Sequence, residues 1–134
     1  MRSEFNKSLR NIAVPVLEAE GFLFDGKRRF TKSGANGVEL IIEYQIGVRG
    51  AQGSFTVNLF AGDEYERLSK LKPTPVSKIV TRLFGEYNPW WRDIFLPKDK
   101  WWEISPFQKE MDAILRKTLA DLKSYGIAWL ESRG

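Results

Sequence analysis

The sequence predicts an α+β protein: an antiparallel meander of three to four strands with helices packed on one face. Three segments in the first half alternate apolar and polar residues, which is typical of half-buried strands. The segments on either side of them repeat apolar residues at helical spacing. The length of 134 residues is common for one domain, and we expect residues 1–134 to form a single domain.

The predicted strands cover residues 28–32, 38–48 and 54–61. A hairpin closing near Ala35 would pair Phe30 with Leu40. A second hairpin, closing at the next glycine-rich turn, would pair Tyr44 with Val57. Both registers place the apolar residues on the same side of the sheet, and this agreement favours a meander. The opposite side would then be mostly polar.

Helices are predicted before and after these strands. The first covers residues 3–20, and Pro15 should bend it because proline lacks a backbone donor. Asp63 to Glu66 resembles a capping box for a short helix, and Thr74 followed by proline predicts another. A last helix would begin with a capping box at Ser105 and end at Gly126.

The composition excludes several kinds of chemistry. Without cysteine or histidine, the chain has no disulfide, no thiolate nucleophile and no histidine-containing catalytic triad. We predict no cofactor and no metal, since helix capping accounts for the acidic residues at 63–66. The net charge of +4 permits an anionic partner without requiring one. No apolar run spans a bilayer or forms a signal-peptide core, so we expect a cytoplasmic protein with no membrane role.

Four tryptophans in the second half are the most unusual feature. They form two adjacent pairs, Trp90 with Trp91 and Trp101 with Trp102. Adjacent side chains of an extended chain point in opposite directions, so one ring of each pair could face outward. Trp91 and Trp102 are the candidates for contacting a partner. The alternative, that all four rings cover the edge of the core, is favoured because large aromatic side chains dominate burial in small domains. The second pair could also form a fourth, edge strand.

Gln45 and Asn58 are candidate binding residues on the polar side of the sheet. The predicted register places Gln45 opposite Thr56 and Asn58 opposite Glu43. Amides are disfavoured in strands, so something other than strand propensity accounts for these two residues. They form either a hydrogen-bonding patch for a ligand or protein, or a structural ladder. Arg29, the last residue of a short basic run, would contact phosphates or belong to a solvated strand edge.

A series of short motifs runs through most of the chain. Their residues are Pro15 with Leu17, Gly21-Phe22, Arg29-Phe30, Tyr44-Gln45, Phe55 to Leu59, and Asp99 to Trp102. In this order and spacing the sequence resembles the bacterial domain-of-unknown-function family 4304. The resemblance implies no established activity. By analogy, some small bacterial domains of this kind accompany secreted toxins as immunity proteins.

Three hypotheses of function remain open. The leading one is a non-enzymatic protein-binding module, an immunity- or antitoxin-like inhibitor whose partner is another protein such as a toxin. The first alternative is a nucleic-acid-binding domain that uses the basic strand and exposed tryptophans. The second is a carboxylate-based enzyme, which would need a deep pocket with a strongly shifted carboxyl group.

Overall fold

The computed structural model describes residues 2–48, 53–71, 82 and 101–134. These residues form an α+β fold with an antiparallel meander, as the sequence predicts. The helix predicted to begin at Thr74 lies outside the described residues, as do Trp90 and Trp91. All the described helices and most of the described strands contribute residues to one hydrophobic cluster. The extent of the domain stays a prediction.

Six strands of the described residues form one sheet. They are β1 (Leu23–Phe24), β2 (Arg29–Ser33), β3 (Glu39–Gly47), β4 (Ser54–Ala61), β5 (Glu64–Arg67) and β6 (Trp102–Glu103). The order is β1-β2-β3-β4-β5, and all neighbours are antiparallel. β5 pairs with the end of β4 and β6 with its beginning. The strand predicted at the second tryptophan pair is therefore confirmed.

The register of β3 against β4 is confirmed, while that of β2 against β3 was wrong by two residues. Phe30 lies opposite Ile42 and not opposite Leu40. The turn is centred one residue later than expected because Gly37 takes the left-handed conformation, with a φ of 79°. Since side chains alternate with a period of two, the shift leaves Phe30 on the same face.

The capping box predicted at Asp63 to Glu66 was wrong. Gly62, with a φ of 62°, and Asp63 form a two-residue hairpin turn, since Ala61 pairs with Glu64 on its far side. Glycine with positive φ at the first central position is typical of such turns. The chain therefore continues as β5, and only the residues after it form a helix, α3 (Leu68–Leu71).

Two long helical segments each contain a π-helical turn. The first comprises α1 (Arg2–Ser8), the π-helical residues Leu9–Ala13 and α2 (Val14–Ala19). The second comprises α4 (Gln108–Asp121), the π-helical residues Leu122–Gly126 and α5 (Ile127–Arg133). Pro15 lies in the first turn of α2, where a missing N–H is tolerated, and the wider turn comes immediately before it.

The predicted ends of the last helix both need correction. Gly126 does not end it; the residue is buried, and a Cβ built there would lie 2.6 Å from the Leu122 side chain. The absence of a side chain thus allows close packing inside the helix. At the start, Ser105 Oγ accepts the Phe107 N–H at 3.1 Å, and α4 begins only at Gln108. The Gln108 amide donates to the Glu4 carbonyl at 3.0 Å, so it joins two helices and does not cap its own.

The helices α1 to α5 pack on one face of the sheet, which we call the inner face. The Phe5 ring of α1 lies 5.1 Å from Phe55 and 6.3 Å from Tyr44, measured between ring centroids. Tyr44 is fully buried, and burial raises the pKa of its phenol. Fully or almost fully buried residues of the inner face are Phe30, Leu40, Ile42, Tyr44, Phe55, Val57 and Leu59. The prediction of one shared apolar face is confirmed, and it leaves the other face for polar side chains.

Candidate functional site on the outward face of the sheet

The side of the sheet opposite the helices, which we call the outward face, brings together three of the predicted site residues. Arg29 of β2 lies opposite Glu43 of β3, Glu43 lies opposite Asn58 of β4, and Asn58 lies opposite Arg67 of β5. These four residues therefore form one row across four strands. Gln45 follows Glu43 on the same face of β3, because side chains alternate along a strand.

Hydrogen bonds join the side chains of this row. The Glu43 carboxylate accepts from Arg29 Nε at 2.9 Å and from Asn58 Nδ2 at 3.1 Å. Asn58 Nδ2 donates a second hydrogen to Gln45 Oε1 at 2.8 Å. Asn58 itself is only 3% exposed, so its amide would be costly to bury without these partners.

Tyr65 and Arg67 of β5 extend the network. The Tyr65 hydroxyl donates to Asn58 Oδ1 at 3.1 Å and accepts from Arg67 Nε at 2.7 Å. Asn58 thus uses both amide hydrogens and its oxygen within the protein. This arrangement supports the interpretation of Asn58 as part of a structural ladder. Asn58 positions its neighbours and has no amide hydrogen left to donate to a ligand.

Glu43 determines which groups of the network donate and which accept hydrogen bonds. A carboxylate only accepts hydrogen bonds, so Asn58 must present its NH₂ group to Glu43 and its oxygen to Tyr65. The second Asn58 hydrogen then requires the oxygen of Gln45, which leaves the Gln45 NH₂ group facing away from the network. Within the described residues, that NH₂ group and the terminal amino groups of Arg29 donate to no protein acceptor.

A cavity of about 540 Å³ opens beside these donors. Lys27, Arg28 and Arg29 contribute three cationic side chains to its lining, and Gln45 and Tyr65 also line it. Its volume falls within the range of small-ligand sites, roughly 300–1,000 Å³. The cavity is a concave surface on which a partner could place several side chains.

The two acidic residues of the cavity lining are already engaged. Glu43 is held by Arg29 and Asn58, as described. Asp25 Oδ1 accepts the backbone N–H groups of Lys27 at 2.7 Å and Arg29 at 3.1 Å. Desolvation acts to raise the pKa of Asp25, but these backbone donors outweigh it and lower the pKa. Asp25 therefore shapes the basic turn as a carboxylate, and the backbone hydrogen bonds give its lowered pKa a structural cause.

The second tryptophan pair lies with one ring on each side of the sheet, as alternation predicts. Trp102 is half-buried on the inner side and stacks on Phe55 with ring centroids 5.6 Å apart. Trp101 lies over the outward face, where a Cβ built on Gly47 would be 2.7 Å from its ring. The Arg67 guanidinium stands 5.2 Å from the same ring. The sequence candidate Trp102 is therefore a neighbour of the core, while the candidate Trp91 lies outside the described residues.

Sequence reasoning missed Tyr65, Arg67 and Trp101 as residues of this surface. Tyr65 and Arg67 were assigned to a helix, although their alternation with Glu64 and Glu66 is also that of a strand. Which ring of the tryptophan pair faces outward depends on the pairing of Phe55 with Trp102, which the sequence alone does not show.

Comparisons with models of protein families, with curated proteins and with solved structures gave no match. The resemblance to family 4304 therefore stays a prediction. In the described ranges, acidic residues do not gather into a group that could hold a metal ion. Of the helices in the same ranges, none is both long and apolar enough to cross a bilayer.

Proposed function

We propose that the protein is a non-enzymatic protein-binding module that contacts its partner through the outward face, around the cavity beside Gln45. One observation carries the proposal. Donors of Arg29 and Gln45 that no acceptor of the described residues receives are held at a concave surface by a hydrogen-bonded network. A surface held in one arrangement before binding loses less conformational entropy when a partner arrives.

The kinds of side chain on this surface also support a protein partner. Tyr65 is 49% exposed, and its ring packs against Phe60 at 5.2 Å. The Arg29 side chain is 51% exposed although one of its nitrogens is paired. Tyrosine and arginine are enriched among the residues that dominate protein–protein binding energy. A rigid aromatic ring and a fixed guanidinium beside a concavity are suitable anchors for a partner.

Site-specific photocrosslinking tests this proposal. The photoreactive residue p-benzoylphenylalanine would replace Phe60, an aromatic residue of the cavity lining, in one variant and Lys117, an exposed residue of α4, in a control. Irradiation of the native cells should give a discrete crosslinked protein from position 60 only. Identical bands from both positions, or no band from position 60, would contradict a partner on the outward face.

We further propose that binding blocks the partner, as an immunity protein blocks a toxin. The resemblance in the sequence is the support for this finer role. If it is correct, expressing the crosslinked partner alone should slow growth of the host cells, and coexpression of this protein should restore it. A partner that is harmless when expressed alone would remove the toxin hypothesis and leave the binding function in place.

A further inference from the structure

We infer that the part of the partner entering the cavity is an acidic protein segment whose carboxylates bind Gln45 and the surrounding cations. This inference rests on the proposed function and specifies the chemistry of its partner. Carboxylates are recognised where hydrogen-bond donors and positive charges converge. The described lining of the cavity provides both.

The donors come from three neighbouring residues as well as Gln45. The Gln45 NH₂ group faces away from the network because its oxygen is bound to Asn58. Arg29 binds Glu43 through Nε, and its two terminal amino groups donate to no acceptor in the described part of the chain. The side chains of Lys27 and Arg28 line the same cavity and form no ion pair with another described residue. Three positive charges and one amide donor therefore surround a single space.

The cations of the described lining outnumber its carboxylates by three to two. Glu43 already receives two hydrogen bonds, and Asp25 Oδ1 receives two from the turn that carries the cations. These bonds hold the two carboxylates in place but do not remove their negative charge. The net charge of the described lining is +1, so complementarity favours a negative segment.

A protein segment fits better than a nucleic acid because the cations of the described lining lie at one turn and form no track along the face. Single-stranded nucleic acids bind through free aromatic faces along a basic track. Here the Arg67 guanidinium lies over the Trp101 ring, which is therefore covered on one side. Lys27, Arg28 and Arg29 are consecutive residues beside one cavity.

The probes for the test are a fluorescein-labelled hexaglutamate peptide, hexaglutamine as its uncharged counterpart, and a ten-nucleotide oligothymidylate. We expect hexaglutamate to bind at low salt and to shift the Gln45 side-chain amide signal in ¹⁵N NMR spectra. Its affinity should fall about tenfold between 20 and 200 mM salt, because exposed charges are screened. Equal binding of hexaglutamine, or tighter binding of oligothymidylate, would overturn the inference.

Gln45→Glu is the sharpest variant because the two side chains have nearly the same shape. The new carboxylate still accepts from Asn58 but presents an oxygen to the cavity where the NH₂ group was. We expect about tenfold weaker binding of hexaglutamate with little change in melting temperature. Lys27→Glu should weaken binding similarly, whereas Lys117→Glu, on an exposed part of α4, should not.

The outcomes separate this inference from the proposed function. If crosslinking identifies a partner at position 60 but Gln45→Glu and Lys27→Glu bind it as tightly as the unmodified protein, the carboxylate inference fails and the function stands. If hexaglutamate binds as expected but position 60 crosslinks to no protein in the native cells, the proposed function fails and the anion specificity remains.

Discussion

Asn58 and Glu43 lie directly opposite each other on β4 and β3, and the hydrogen bond between them is 3.1 Å long. Because the carboxylate only accepts, this one bond fixes the orientation of the Asn58 amide. That orientation in turn fixes those of Gln45 and Tyr65. Buried Asn58 and half-buried Glu43 thus determine which atoms the outward face offers to a partner.

Replacing Asn58 should destabilise the fold and disorder the outward face. Asn58→Leu leaves the Tyr65 hydroxyl without its acceptor and the Gln45 oxygen without its donor. We expect the free energy of unfolding, measured with urea, to fall by about 1–3 kcal/mol. Tyr65→Phe removes one bond of the same network and should cost about 1 kcal/mol. A leucine variant as stable as the parent protein would show that the network contributes nothing.

Gly47→Ala should push the Trp101 ring away from the sheet. The added Cβ would lie 2.7 Å from the ring, and the backbone at Gly47 has no positive φ that would add strain. We expect a loss of about 1–2 kcal/mol in urea unfolding together with a shift in tryptophan fluorescence. In the double variant with Trp101→Ala the glycine substitution should cost almost nothing, and an undiminished cost there would contradict the contact.

Asp112 should make stability depend on pH in the acid range. The Ser8 hydroxyl donates to its carboxylate, and Gln108 and nearby cations add to this effect against a smaller desolvation, so the pKa is lowered. A carboxyl group with a lower pKa in the folded state stabilises above its unfolded pKa, about 3.9. That contribution disappears as the pH falls through the folded value.

Asp112→Asn is the variant that tests this dependence. It removes the titrating group, so the loss of stability between pH 5 and pH 2.5 should be smaller than in the parent protein. Glu110→Gln is the control, since Glu110 is an exposed residue of the same helix. Equal pH dependence in the parent and in Asp112→Asn would show that the Ser8 bond does not shift the titration.

The sequence predicts the sheet well because alternation is a local pattern that two hairpins reinforce. The face predicted for Phe30 was correct although its predicted register was wrong. A register error of two residues leaves a side chain on the same face of the sheet. Gln45 and Asn58 could be predicted as candidate site residues for a similar, local reason. Their polar amides interrupt strands whose other residues are mostly β-branched or aromatic.

What the sequence could not predict depends on contacts between distant residues. Gly126 has the pattern of a helix stop, but it is buried against Leu68, which lies far away in the chain. Gln108 has the position of a capping residue, but Glu4 and Ser8 of α1 bind its amide instead. In both cases tertiary packing overrides a local signal of about 1 kcal/mol.

Substitutions of the two tryptophans of the second pair should have different effects on stability and on binding. Trp102 stacks on Phe55 and packs against the core, so Trp102→Ala should lower the free energy of unfolding by about 2–4 kcal/mol. Trp101 lies on the outward face against Gly47, and we expect Trp101→Ala to cost about 1 kcal/mol, mainly through its contact with Arg67.

Hexaglutamate binding should follow the opposite order. Trp101→Ala removes the ring over which Arg67 lies, and Arg67 donates to Tyr65 at the cavity, so the affinity should fall. Trp102→Ala acts on the inner side and should leave the affinity unchanged as long as the protein is folded. If Trp102→Ala instead weakened binding without changing urea unfolding, Trp102 would be the residue that contacts the partner. The assignment of the two rings to opposite faces would then be wrong.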